Sequence, residues 1–154
     1  MDVRLATSKD AEAACKVLRR SITELCWPDH HGDQVAIDLW LSNKTPENVA
    51  AWIEAADNIV LVAIDDQDLL GIGAMTCIGR VTLNYVHPDR RFRGVSKALL
   101  AHLEREATKL GLRELTLQST KTAEQFYRAA GFVVRPDPTR PDDCTMIKTL
   151  NVSA

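Results

Sequence analysis

The stretch Leu83-Asn84-Tyr85-Val86-His87-Pro88-Asp89-Arg90-Arg91-Phe92-Arg93-Gly94-Val95-Ser96-Lys97-Ala98-Leu99-Leu100 decides how this chain reads. It runs from a strand through a basic turn with one glycine into an amphipathic helix. A helix start presents unpaired N–H groups and about half a unit of positive charge, which suits an anion such as phosphate. Gly94 allows close approach of the backbone to a ligand. Arg90, Arg91, Arg93 and Lys97 add charge at the same end against one acid, Asp89. Cations at a helix start oppose its dipole, so they make poor stabilisers, and an anionic ligand explains them better than a solvated turn does. A phosphate loop of the G-x-x-x-x-G-K-[ST] type is excluded, because that pattern does not occur.

Outward from this stretch, the pattern is that of one mixed α/β domain spanning 1–154. Residues 3–6 start as a strand. Ala11, Ala14, Cys15, Leu18, Ile22 and Leu25 recur at helical spacing, and Pro28 and Gly32 break that helix. Residues 35–41 are helical again, and Thr45-Pro46-Glu47 caps a further helix over 46–56. Residues 58–64, 69–78 and 81–86 predict an antiparallel meander. A helix over 96–110 ends at Gly111, a strand covers 113–117, and a helix from Thr120 or Thr122 closes at Gly131. Two strands, 132–135 and 144–150, flank an exposed proline-rich loop at 136–141. The predicted order is β-α-α-α-β-β-β-α-β-α-β-β, an α+β chain whose mostly antiparallel sheet is flanked by helices.

The chain has 154 residues, 45% hydrophobic and 26% charged, enough to build a core without staples. The four cysteines, Cys15, Cys26, Cys77 and Cys144, lack paired spacing and read as reduced thiols rather than a disulfide frame or zinc site. No apolar run approaches the ~20 residues of a membrane span, and no signal-peptide apolar region follows Met1, so a cytoplasmic protein is the expectation. Net charge is −2, divided as −6 over residues 1–86 and +4 over 87–154. That balance, with a single Phe among the basic residues, speaks against a nucleic-acid surface.

The quoted stretch resembles motif A of the GNAT acyl-CoA N-acyltransferase superfamily, V-x-P-x-x-[QR]-x-x-G-x-[GA], through Val86, Pro88, Arg91 and Gly94. Ser96 stands where the family usually has Gly or Ala. Ala123-x-x-Phe126-Tyr127-x-x-x-Gly131-Phe132 resembles the superfamily's second motif, A-x-x-[FL]-Y-x-x-x-G-F, and follows at the family's order and spacing. The resemblance covers essentially the whole chain. It implies acetyl transfer from acetyl-CoA directly to a primary amine of a small molecule or peptide, in a gap between the strand ending near Val86 and the strand at 113–117. Backbone groups of Arg91, Phe92, Arg93, Gly94, Val95 and Ser96 would hold the pyrophosphate, and those of Tyr85 and Val86 the pantetheine, with the Val86 N–H polarising the thioester carbonyl. Tyr127 matches the tyrosine that in many members protonates the leaving CoA thiolate. A phenol suits that role because its ordinary pKa, about 10, lies above that of an alkyl thiol.

Two departures from the family stand out. Thr120 replaces a usual Asn, and its contact can pass to Ser119. Residues 80–86 hold no carboxylate, so a proton acceptor for the amine must lie elsewhere. Glu24, Asp29, His30 and His31 near the first helix–helix break are the candidates, with Trp27 as a pocket wall and Asn84 as an acceptor-orienting group. Asp29-His30-His31 also admits a solvated-loop or metal reading, but adjacent histidines point apart and no further ligand spacing supports a metal. A non-catalytic acyl-CoA-binding sensor or interaction module on the same fold is the alternative function. Dimers are frequent in the superfamily, which leaves a homodimer open.

Overall fold

The computed structural model describes residues 1–140 and 144–151. Among the described residues, seven strands form one sheet in the order β1-β2-β3-β4-β5-β7-β6. They are β1 (Asp2–Leu5), β2 (Asn58–Asp65), β3 (Asp68–Thr76), β4 (Arg80–Val86), β5 (Glu114–Gln118), β6 (Val133–Val134) and β7 (Thr145–Thr149). The helices are α1 (Ala11–Leu25), α2 (Trp27–His30), α3 (Gln34–Leu41), α4 (Pro46–Glu54), α5 (Val95–Lys109) and α6 (Glu124–Ala129). All strand pairs are antiparallel except β4 with β5. The expected meander and the mostly antiparallel sheet are therefore both present.

One element departs from the sequence expectation. Residues 27–30 form an extra helical turn where Pro28 predicts only a break. Pro28 sits in its first turn, where a missing N–H costs nothing, and His31 ends it in the left-handed conformation. The predicted proline loop is irregular and exposed over 136–140; Pro141 lies outside the described residues.

The sheet has a packed layer on each face. Leu99, Leu103, Leu115, Tyr127, Phe132 and Met146 fill the α5 side, and Leu18, Ile22, Val49, Val62 and Ile72 fill the α1 side. The unbroken apolar run in β2 follows from this, since Val60 and Val62 face one layer and Leu61 and Ala63 the other. Gly71 on β3 brings α5 close to the sheet. A Cβ there would stand 2.8 Å from Val95 Cγ1 and 2.9 Å from the Tyr85 carbonyl oxygen.

The decisive irregularity lies in β4. Met75 pairs with Val81 and Ala74 with Leu83, which leaves Thr82 as the extra residue of a bulge. Val81 therefore packs in the α5 layer, while Leu83 and Tyr85 pack in the α1 layer. Beyond the bulge, strict alternation returns Asn84 and Val86 to the α5 side. β4 pairs with β5 only at Arg80–Thr116 and Val81–Leu117. Past those two pairs the strands part, and the sheet opens into a gap.

Candidate functional site

A cleft of about 370 Å³ lies over this opening. The end of β4 supplies Asn84, Tyr85 and Val86; the following loop and α5 supply Arg91, Phe92, Gly94, Val95, Ser96 and Lys97; the α6 region supplies Thr120, Thr122, Ala123, Phe126 and Tyr127. A narrower space continues between the parted strands, from Val81–Tyr85 to Leu117, Gln118 and Thr120, with Tyr127 in its wall. Of the residues anticipated for cofactor binding, the structure brings together Tyr85, Val86, Arg91, Phe92, Gly94, Val95, Ser96 and Thr120. Arg93 is exposed and does not line the cleft.

Gly94 caps α5 at φ +76, and Phe92 also adopts a positive φ, +62. These two left-handed residues turn the chain so that the amides at 91–94 find no acceptor among the described residues. A Cβ on Gly94 would meet nothing among the described residues within 4 Å beyond its own chain neighbours and helix backbone, so the space above it is open. Together with the first orphan amides of α5, this forms an anion-receiving end. The Phe92 ring is 93% exposed, and the Arg91 guanidinium lies over it at 4.6 Å.

The loop's charge differs from the sequence count. Arg90 is paired with Asp68 at 2.9 Å, and Arg20 of α1 bridges Glu24 at 2.7 Å and Asp89 at 3.3 Å. The Arg20 guanidinium holds the Asp89 carboxyl below the usual carboxylate range. The cations left for an anionic ligand are Arg91, Arg93 and Lys97. Arg90 serves to tie the loop to the β2–β3 turn.

At the other end, Tyr127 is 7% exposed and packs edge-on against Phe126 and Phe132, with ring centroids 5.1 and 5.4 Å away. Burial pushes its phenol up to about 12, with the neighbouring Asn84 amide pulling the other way. The Asn84 Oδ1 is buried without a hydrogen-bond partner among the described residues. Burial raises Tyr85 further still. Thr120 accepts from the Ala123 N–H at 3.2 Å and so caps the turn into α6. Ser119 donates to the Thr120 carbonyl and stays outside the cleft.

Five of the six anticipated acceptor-side residues lie elsewhere; of them only Asn84 lines the cleft. His30 is 4% exposed, its Nδ1 accepting from the Gly32 N–H and its Nε2 donating to the Ile22 carbonyl, each at 2.9 Å. Trp27 and Trp40 press edge-on against its ring, so His30 is a core histidine. Trp27 is 61% exposed and packs over Gly32 rather than walling the cleft. Glu24 is held by Arg20 at the surface. Asp29 accepts from the Lys121 and Thr122 amides at 2.7 and 3.1 Å and from the Thr122 hydroxyl. Its carboxylate clamps α2 to the segment that leads into α6, which explains why that helix begins only at Glu124. His31 is exposed at the end of α2. Among the described residues, no group of three His, Cys, Asp or Glu side chains is placed to hold a metal.

Sequence reasoning missed Ser21 and Cys26, which α1 and its end bring to the cleft. Ser21 had a signal: it is a polar residue at helical spacing from Ala14, Leu18 and Leu25, and it is buried. Burial pushes the Cys26 thiol up to about 12, far from the thiolate a nucleophile needs.

The sheet thus opens beside a bulge, with bare amides at one end of the cleft and a buried phenol at the other. The family model described as an acetyltransferase (GNAT) domain matches residues 26–148, and the chain belongs to that family. No curated protein matches the sequence. Solved structures share its fold at low identity. A GCN5-related N-acetyltransferase from Rhodopseudomonas palustris superposes with a TM-score of 0.85 at 22% identity, covering 97% of this chain and 95% of that one. The PaiA N-acetyltransferase from Thermoplasma acidophilum, solved in complex with coenzyme A, gives 0.83 at 22% identity, over 96% and 98%. The aminoglycoside 6'-N-acetyltransferase from Enterococcus faecium gives 0.70 at 17% identity, over 100% and 99%. No helix among the described residues is long and apolar enough to cross a membrane.

Proposed function

We propose that the chain is an acetyl-CoA-dependent N-acetyltransferase that passes the acetyl group directly to a primary amine in a ternary complex. The observation that carries this is one cleft with the α5 amides at one end and Tyr127 with Asn84 at the other, across the parted strands. The amides at 91–96, with Arg91 and Lys97, receive the pyrophosphate, and the edge of β4 at Tyr85 and Val86 receives the pantetheine. The amine nitrogen attacks the thioester carbon, and the oxyanion that forms is met by the Val86 N–H. The C–S bond then breaks, the thiolate takes the Tyr127 hydrogen bond, and the proton lost by the amine leaves through water. The products are the N-acetyl amine and free CoA. No carboxylate or imidazole lines the cleft or the gap among the described residues, so a water relay, rather than Glu24, Asp29 or His30, accepts that proton. The missing base also favours one alternative, a non-catalytic acyl-CoA sensor. Release of free thiol from acetyl-CoA with a panel of polyamines, amino acids, aminoglycosides and peptides separates the two. Turnover with any amine supports the enzyme; cofactor binding with turnover on none refutes it.

A further inference from the structure

Behind the bulge lies a second cavity, of about 300 Å³, on the α1 side of the sheet. Asn43, Lys44, Trp52 and Asn58 line it, and it shares Thr82 and Leu83 with the gap that leads to Tyr127. Among the described residues, its lining contains a cation and two amides and no acid. Lys44 donates to the Asn43 side-chain oxygen at 2.7 Å, which leaves two of its three ammonium protons unused. The Asn58 amide gives one N–H to the Trp52 carbonyl at 3.2 Å and keeps another.

The loop that carries Lys44 is held firmly. Arg19 donates to the carbonyls of Leu41 and Lys44 at 3.0 and 2.8 Å, and the Asn48 side chain donates to the Asn43 carbonyl at 2.9 Å. The backbone that presents this cation is therefore already ordered, which removes the loop's share of the ordering cost of binding. Burial lowers the Lys44 pKa, and no carboxylate among the described residues pairs with it. A half-buried ammonium without a counter-ion, beside spare amide donors, is matched by an anion.

We propose that this cavity holds the acceptor, and that the acceptor is an amine bearing a carboxylate, seated on Lys44 with its amine directed past Thr82 into the gap. The proposal rests on the acetyl-transfer reading above and adds the substrate class to it.

The test measures thiol release from acetyl-CoA with L-methionine, L-glutamate and L-phenylalanine, each against its C-terminal amide, for the unaltered protein, Lys44→Met and Lys44→Arg. Thermal melting of each variant checks the fold. The expected result is a preference for at least one acid over its amide of about tenfold or more in kcat/KM. Lys44→Met should raise the KM of that acid by about 10- to 150-fold, as loss of a charged hydrogen bond does, with the KM for acetyl-CoA unchanged. Lys44→Arg should restore part of it. Acids and amides used equally, or a KM within threefold in Lys44→Met, overturns the proposal while transfer itself stands. Should no amine be acetylated, calorimetry of the CoA-loaded protein with the same acids decides. Binding lost in Lys44→Met upholds the cavity's ligand and removes the transfer; absence of binding overturns both.

Discussion

Tyr127→Phe is the substitution on which the proposed chemistry turns. Burial puts the phenol at about 12, and the same cleft raises a thiol as well, as it does Cys26, so the phenol holds its proton at neutral pH while a departing thiolate beside it is a strong acceptor. On the proposed mechanism Tyr127 gives the departing sulfur a hydrogen bond from a phenol that keeps its proton at neutral pH. A hydrogen bond to a charged group contributes about 1.5–3 kcal/mol, which corresponds to a fall in kcat of about 10- to 150-fold. Full general-acid catalysis would cost about 10²- to 10⁴-fold. The ring itself is retained, and with it the edge contacts to Phe126 and Phe132, so melting temperature should change little. The assay is single-turnover thiol release at saturating acetyl-CoA, with cofactor affinity measured by calorimetry. A fall of 10- to 150-fold at unchanged affinity fits the reasoning. A change under threefold in a folded variant would refute the role, and a loss beyond 10³-fold would show full proton transfer in place of a hydrogen bond.

The loop makes a paired prediction. Arg91→Ala should weaken CoA binding about tenfold, more at low salt than at high, whereas Arg90→Ala, whose charge is already spent on Asp68, should change it less than twofold; equal effects in calorimetry would show that the ion pair does not sort the cations. Gly94→Ala forces a methyl-bearing residue to φ +76 and into the open space above the turn, and should cost about 1–2 kcal/mol in stability along with cofactor affinity. Asp29→Ala removes the clamp on the segment before α6 and should lower stability by about 2 kcal/mol in thermal unfolding; an unchanged melting temperature would mean the clamp is idle. In pH profiles, Tyr127 holds its proton below about 12, so its donor form is complete at neutral pH and is lost only as pH rises through that value. The rate should rise with deprotonation of the amine and show no alkaline fall below about pH 10; a descending limb near pH 9 would contradict it.

Much of this was legible in the chain. The alternation and helical spacings gave every strand and helix but the short α2, and the strand–turn–helix at 83–100 marked the loop whose amides are left bare. Tyr127 stood out as one of only two tyrosines. Most of the residues expected around the acceptor lie outside the cleft, because the burial and neighbours of side chains such as His30 and Trp27 are not revealed by spacing. His30 is sealed by the Ile22 carbonyl and two tryptophans, and Asp29 is used 92 residues downstream.

The sequence by itself determined what depends on neighbours along the chain: period, caps, turns, and the charge of one loop. Tertiary structure decided which charges remain available. Arg90 is matched by Asp68, Asp89 by Arg20, and Lys44 by no acid among the described residues. It also decided where the sheet opens, because one extra residue at Thr82 reverses the facing of β4 and only its pairing with β3 makes that visible. Local preferences act over a few residues, whereas ion pairs and strand register join positions tens of residues apart, and a linear pattern does not encode them.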